Sequence, residues 1–83
     1  MIYNTKEKTL RDERKLSDKE DKLLRILSCN EIVEISKIKR ELNIKKEDNF
    51  SLDIVVAGLK YKGLDIKNIS GKGYKLFDEI YFE

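Results

Sequence analysis

Apolar positions change their spacing several times along the chain, and each change marks an element. Through residue 16, Ile2, Tyr3 and Leu10 stand loosely among charged residues without a helical stripe, which predicts one or two short strands. Ser17-Asp18-Lys19-Glu20 then sets a serine three positions ahead of a glutamate, so that hydroxyl and carboxylate satisfy amides that a first helical turn leaves open. A helix is expected there, with Leu23, Leu24, Ile26 and Leu27 as its apolar face and an end near Ser28-Cys29-Asn30. Ile32 and Val33 predict a very short strand or bridge. Ser36 is expected to cap a second helix of about eight residues. On that helix Ile38 and Leu42 share a face, while Lys37, Lys39 and Arg40 form a solvated one. Lys45 to Asn49 reads as a polar turn, after which Phe50, Leu52, Ile54, Val55, Val56 and Leu59 carry a third helix to Gly63. Gly58 costs that helix about 1 kcal/mol relative to alanine, so it must draw on tertiary packing. Finally, Ile66 and Ile69, then Tyr74, Leu76 and Phe77, flank Gly71-Lys72-Gly73 and predict a hairpin.

Three helices followed by a hairpin, with a small N-terminal β element, form an α+β arrangement, that of a winged helix-turn-helix. Residues 1–16 would be the β element, 17–63 the three-helix core, 64–77 the wing hairpin and 78–83 a tail, all in one domain. A chain of 83 residues buries a thin core, which leaves little room for a deep catalytic pocket. No apolar run approaches the roughly 18 residues of a membrane span, and no signal peptide opens the chain, so a cytoplasmic protein without membrane contact is expected. The single cysteine, Cys29, has no disulfide partner and no histidine to activate it. It is expected to be a semi-buried side chain at a helix end.

Net charge, +2, decides little, but its distribution is uneven. Residues 1–36 balance eight basic against eight acidic groups, whereas residues 37–76 carry ten Lys and Arg against five acids, the asymmetry of a nucleic-acid footprint. Catalysis is not expected: the sequence has no histidine, no metal-ligand spacing, no phosphate-binding glycine loop ahead of a helix and no isolated carboxylate pair. It implies neither a cofactor nor a small-molecule substrate.

The segments Leu-Ser-Asp-Lys-Glu-Asp-Lys-Leu-Leu-Arg-Ile-Leu (16–27), Ser51 to Gly63 and Ile66 to Leu76, the last with its Gly-x-Gly-Tyr turn, occur in this order and spacing. Together they resemble the DNA-binding domain of OmpR/PhoB-type response regulators, standing alone without a receiver domain. The resemblance covers most of the chain and implies that the third helix approaches the major groove of double-stranded DNA while the wing meets the backbone or the adjacent minor groove. Where that family carries histidine or arginine on the exposed face of the third helix, this chain has Val55, Ala57 and Gly58, none of which donates to a guanine edge or a phosphate. The wing is therefore expected to carry the contact through Lys67, Lys72 and Lys75, with Asn68 and Ser70 between them. Lys45, Lys46, Asn49 and Ser51 stand at the entry to the third helix, where amides and short polar side chains hold phosphates. Lys60 and Lys62 stand at its end; Tyr74 is expected to brace the wing first and touch DNA second, and Asp53, matched by an aspartate in the family, to be structural.

Ile54, Val55, Val56, Phe77, Ile80, Tyr81 and Phe82 are too many apolar groups for so small a core, and a homodimer that places two wings on repeated or palindromic half-sites is expected. The Lys- and Ile-rich, proline-free composition is also similar to small plasmid-encoded winged-helix proteins that bind an origin of conjugative transfer. The expected function is thus sequence-specific DNA binding, as a small transcription regulator or an origin-binding accessory factor. The alternative is a docking module of the same fold that binds protein instead.

Overall fold

The computed structural model describes residues 1–11 and 13–83; Asp12, in the expected N-terminal β element, lies outside them. Helix α1 (Asp18–Leu27) opens with the expected reciprocal cap: the Ser17 hydroxyl accepts from the Glu20 N–H at 3.2 Å, and Glu20 Oε1 accepts from the Ser17 N–H at 2.8 Å. Asp18, Glu20 and Asp21 crowd its first turn, where the helix dipole favours negative charge. Leu23, Leu24 and Leu27 are fully buried, each contributing roughly 2 kcal/mol of apolar transfer energy. The chain leaves α1 through Asn30 in the left-handed region (φ 61°), and the Asn30 amide donates to the carbonyls of Leu76 (3.0 Å) and Asp78 (2.7 Å). Cys29, expected to be semi-buried, is exposed, because the helix has ended before it and only its Sγ contact to the Ile26 carbonyl holds it.

Helix α2 (Ile35–Glu41) starts two residues earlier than a Ser36 cap would dictate: Glu34 is its N-cap, and no side chain caps it. Val33 is held in a two-way backbone bridge to Tyr74 (2.9 and 3.0 Å), so the chain is extended up to Glu34 and turns helical directly after it. Ile38 and Leu42 are buried as their spacing requires. Lys39 departs from the expected solvated face. It is only 5% exposed, and its ammonium donates inward to the Lys46 carbonyl (2.7 Å) and to Asn49 Oδ1 (2.5 Å).

Helix α3 (Asn49–Tyr61) buries Leu52, Val55, Val56 and Leu59. Val55 therefore belongs to the core and not to the exposed face. Gly58 sits where α3 crosses α1, and a Cβ there would overlap the Glu20 carboxylate. Just beyond α3, the Lys62 ammonium lies 2.5 Å from Glu20 Oε1. The cost of a helical glycine is offset by this close approach, which admits a carboxylate already shared between a helix cap and an ion pair.

Strands β1 (Ile2–Asn4), β2 (Thr9–Leu10) and β3 (Arg14–Lys15) form a meander, and β4 (Ile66–Ile69) and β5 (Gly73–Leu76) form the expected hairpin. Gly73 lets β5 pass the Val33 carbonyl so closely that a Cβ would collide with it. Residues 78–83, read from sequence as a tail, contribute β6 (Tyr81–Phe82), which runs parallel to β1 and completes a sheet of order β3-β2-β1-β6. Tyr3 anchors this sheet to α1: its buried hydroxyl donates to Asp21 Oδ1, and its ring meets Phe82 edge-on at 5.9 Å. Tyr3, Leu10, Leu16, the leucines of α1, the inner face of α3 and Ile66 and Leu76 of the hairpin make one continuous apolar core. The result is an α+β fold of three helices and two small sheets, and no helix of the described residues is long and apolar enough to cross a membrane.

Two measurements test the α1–α3 junction. Gly58→Ala is expected to destabilise the native protein by about 1–2 kcal/mol despite alanine's helix propensity, yet to stabilise the Glu20→Ala variant by about 1 kcal/mol. Urea unfolding of the four proteins reads this cycle, and the same sign in both backgrounds would show that the two residues do not compete for space. Burial raises the Glu20 pKa, but the Lys62 ammonium and the Ser17 donors outweigh it and hold the carboxyl below its ordinary 4.5. Because the folded value is depressed, its contribution is present above pH 4.5 and lost as pH falls through the folded value. Glu20→Gln is accordingly expected to flatten the acid side of the stability profile in thermal melts across pH.

Candidate functional site

The register of the hairpin sorts its polar residues onto two faces. Ile66 pairs with Leu76 and Asn68 with Tyr74 on the inner face, while Lys67 stands opposite Lys75 on the outer one. Both ammonium groups lie over the ring of Phe77, at 5.5 Å and 5.1 Å from its centroid. Phe77 is 49% exposed and is tied into place by its N–H, which donates to the Asp65 carbonyl at 2.9 Å. Like charges opposed on a ladder repel, and the negative face of the ring relieves only part of that repulsion. No carboxylate among the described residues forms an ion pair with either lysine.

Ser70, Gly71 and Lys72 make the tip, closed by the Lys72 N–H donating to the Ile69 carbonyl at 2.9 Å. Asn68 and Tyr74 are turned away from this outer face. They line a groove against α3 with Asp53, Ala57 and Lys60. Tyr74 is buried, and burial together with the nearby Asp53 charge pushes its phenol above its ordinary value, so it braces the hairpin as expected. Asp53 itself is exposed and borders the groove beside the buried Val56 and Tyr74.

At the entry to α3 the anion-binding end of the helix is already occupied. Asp48, the N-cap, accepts from the Ser51 N–H (3.0 Å) and the Ser51 hydroxyl (2.7 Å), and these two bonds hold its carboxyl below the ordinary range. Asn49 Oδ1 accepts from Lys39, while Lys45 and Lys46 project into solvent. The sequence carried a signal for Asp48, an acid directly before a helical run, but none for the inward turn of Lys39, which depends on a carbonyl seven residues further on. At the far end of α3, Lys60 is exposed and Lys62 is committed to Glu20. Of the twelve residues singled out from sequence, the structure thus gathers Lys67, Lys75, Ser70 and Lys72 on the outer face and tip. Asn68, Tyr74 and Lys60 share the inner groove, and Asn49, Ser51 and Lys62 are held in internal bonds.

Between them, Phe50, Ile54, Ala57 and Tyr61 form the solvent face of α3. No family model, curated protein or solved structure matches the chain.

Asp48→Ala is expected to lower the melting temperature at neutral pH by exposing the first-turn amides of α3. Since the folded carboxyl is depressed below 3.8, the difference from the native protein should be full above pH 3.8 and shrink as pH falls through the lower folded value. A difference that persisted at low pH would show that the carboxylate is not the cap.

Proposed function

We propose that the chain is a winged-helix protein that binds double-stranded DNA through the outer face and tip of its hairpin, with Lys67, Lys75 and Lys72 on the phosphate backbone and Ser70 beside them. The observation that carries this reading is the pair Lys67–Lys75: two cations set directly opposite each other over one aromatic ring, with no acid to neutralise them. A phosphate diester beside the pair removes the repulsion and releases counterions, so the hairpin is pre-charged for a polyanion. Base reading by α3 is disfavoured, because the middle of its exposed face is Phe50, Asp53, Ile54 and Ala57, its exposed Lys60 stands in the last turn, and the Ser51 amide of its first turn is held by Asp48. A wing-led contact of this kind suits a small transcription regulator or an accessory factor that marks an origin of conjugative transfer.

Fluorescence anisotropy with a labelled mixed-sequence duplex, titrated from about 50 to 200 mM salt, tests the proposal: binding should weaken steeply with salt. Lys67→Glu with Lys75→Glu is expected to lower affinity at least about tenfold and to make the salt slope shallower by about two, while Ser51→Ala leaves both unchanged. No binding at the lowest salt would reject the DNA reading and leave the fold as a protein-docking module.

A further inference from the structure

Helix α3 turns to solvent an apolar face, of which only one edge, at Asp53, Ala57 and Lys60, borders the groove against the hairpin. Phe50, Ile54, Ala57 and Tyr61 recur at helical spacing as one stripe, and its three large side chains are 74%, 55% and 82% exposed. Asp53 and Lys60 lie along one flank of the stripe, seven positions and about 10 Å apart. Neither forms an ion pair with another described residue.

We propose that this face binds the same face of a second copy of the chain, with the two α3 helices antiparallel about a two-fold axis near Val56 and Ala57. Charge selects the occupant and its direction. A two-fold axis perpendicular to the helix pair keeps the charged flanks of both copies on the same side. It sets Asp53 of one protomer against Lys60 of the partner subunit, and the reverse, forming two ion pairs from two groups that lack partners in the monomer. A parallel pairing, about an axis along the helices, would put the two charged flanks on opposite sides of the seam and form neither ion pair. The pattern of sizes agrees with the antiparallel choice: Ala57, the smallest residue of the stripe, lies near the axis, where the helices approach most closely, and Phe50 and Tyr61 lie at opposite ends, so each meets the other across the dyad. Opposed helix dipoles add a favourable contribution.

The three large side chains leave on the order of 400 Å² exposed per protomer, about half the roughly 800 Å² per partner of a standard specific interface, so the dimer belongs with weak, concentration-dependent ones. The proposal does not depend on DNA binding, and it leaves the outer hairpin face of both copies free.

Sedimentation velocity of the full chain without DNA tests it. The weight-average mass is expected to rise toward twice the monomer value between about 1 µM and 1 mM protein. Ile54→Asp, at an exposed position, should give a monomer throughout with an unchanged circular dichroism spectrum. Asp53→Lys should weaken association at least about tenfold, and adding Lys60→Asp to it should restore it. A mass that stays monomeric to the highest concentration would overturn the proposal. So would a dimer indifferent to Ile54→Asp, or a charge swap that fails to restore association.

Discussion

The fold turns on one carboxylate. Glu20 closes the cap of α1 through Oε1, holds the Lys62 ammonium on the same oxygen, and projects its other oxygen into the space left by Gly58 of α3. These contacts join α1 to α3 at the end from which the chain runs through Lys62 and Gly63 toward the hairpin at Ile66. Without the glycine the Glu20 carboxylate would have to give way, and without Lys62 it would be left in the junction with fewer donors. The neighbouring Asp21 does comparable work on the opposite side, accepting from Tyr3 and from Arg25 and so fastening the N-terminal sheet to the same helical turn.

Charge is distributed by the same logic. Most of the ionic groups that the core elements bring together are satisfied there: Lys39 by a carbonyl and an amide oxygen, Lys62 by Glu20, Asp48 by Ser51. The hairpin is the exception. Its register places two lysines opposite each other with only an aromatic face beneath them, and an anion beside the pair would relieve their repulsion. The third helix is specialised in a different direction, since its exposed stripe is apolar and its positive end is internally capped. DNA binding and self-association would therefore occupy separate faces of one small domain, and a dimer formed through α3 would present two hairpins together.

The sequence by itself determined the elements whose signals are local. The Ser17–Glu20 cap, the apolar run of α1, the buried side of α3 and the glycine-centred hairpin all follow from spacing over a few residues, and all are present. It also supplied the lysines of the hairpin and the excess of apolar groups on α3. Tertiary structure alone decided the remainder, because those features join residues distant along the chain. Parallel pairing of Tyr81 and Phe82 with Ile2 and Tyr3 has no turn to announce it. Lys39 reads as a surface lysine until the loop after α2 folds its carbonyl over the ammonium. Gly58 reads as a helical defect until Glu20 fills the space beside it, and Lys62 as a candidate contact until the same carboxylate claims it. Local patterning fixes which residues a helix or strand buries; which charges remain free depends on what the completed packing sets within hydrogen-bonding reach, and that is a property of distances no single segment contains.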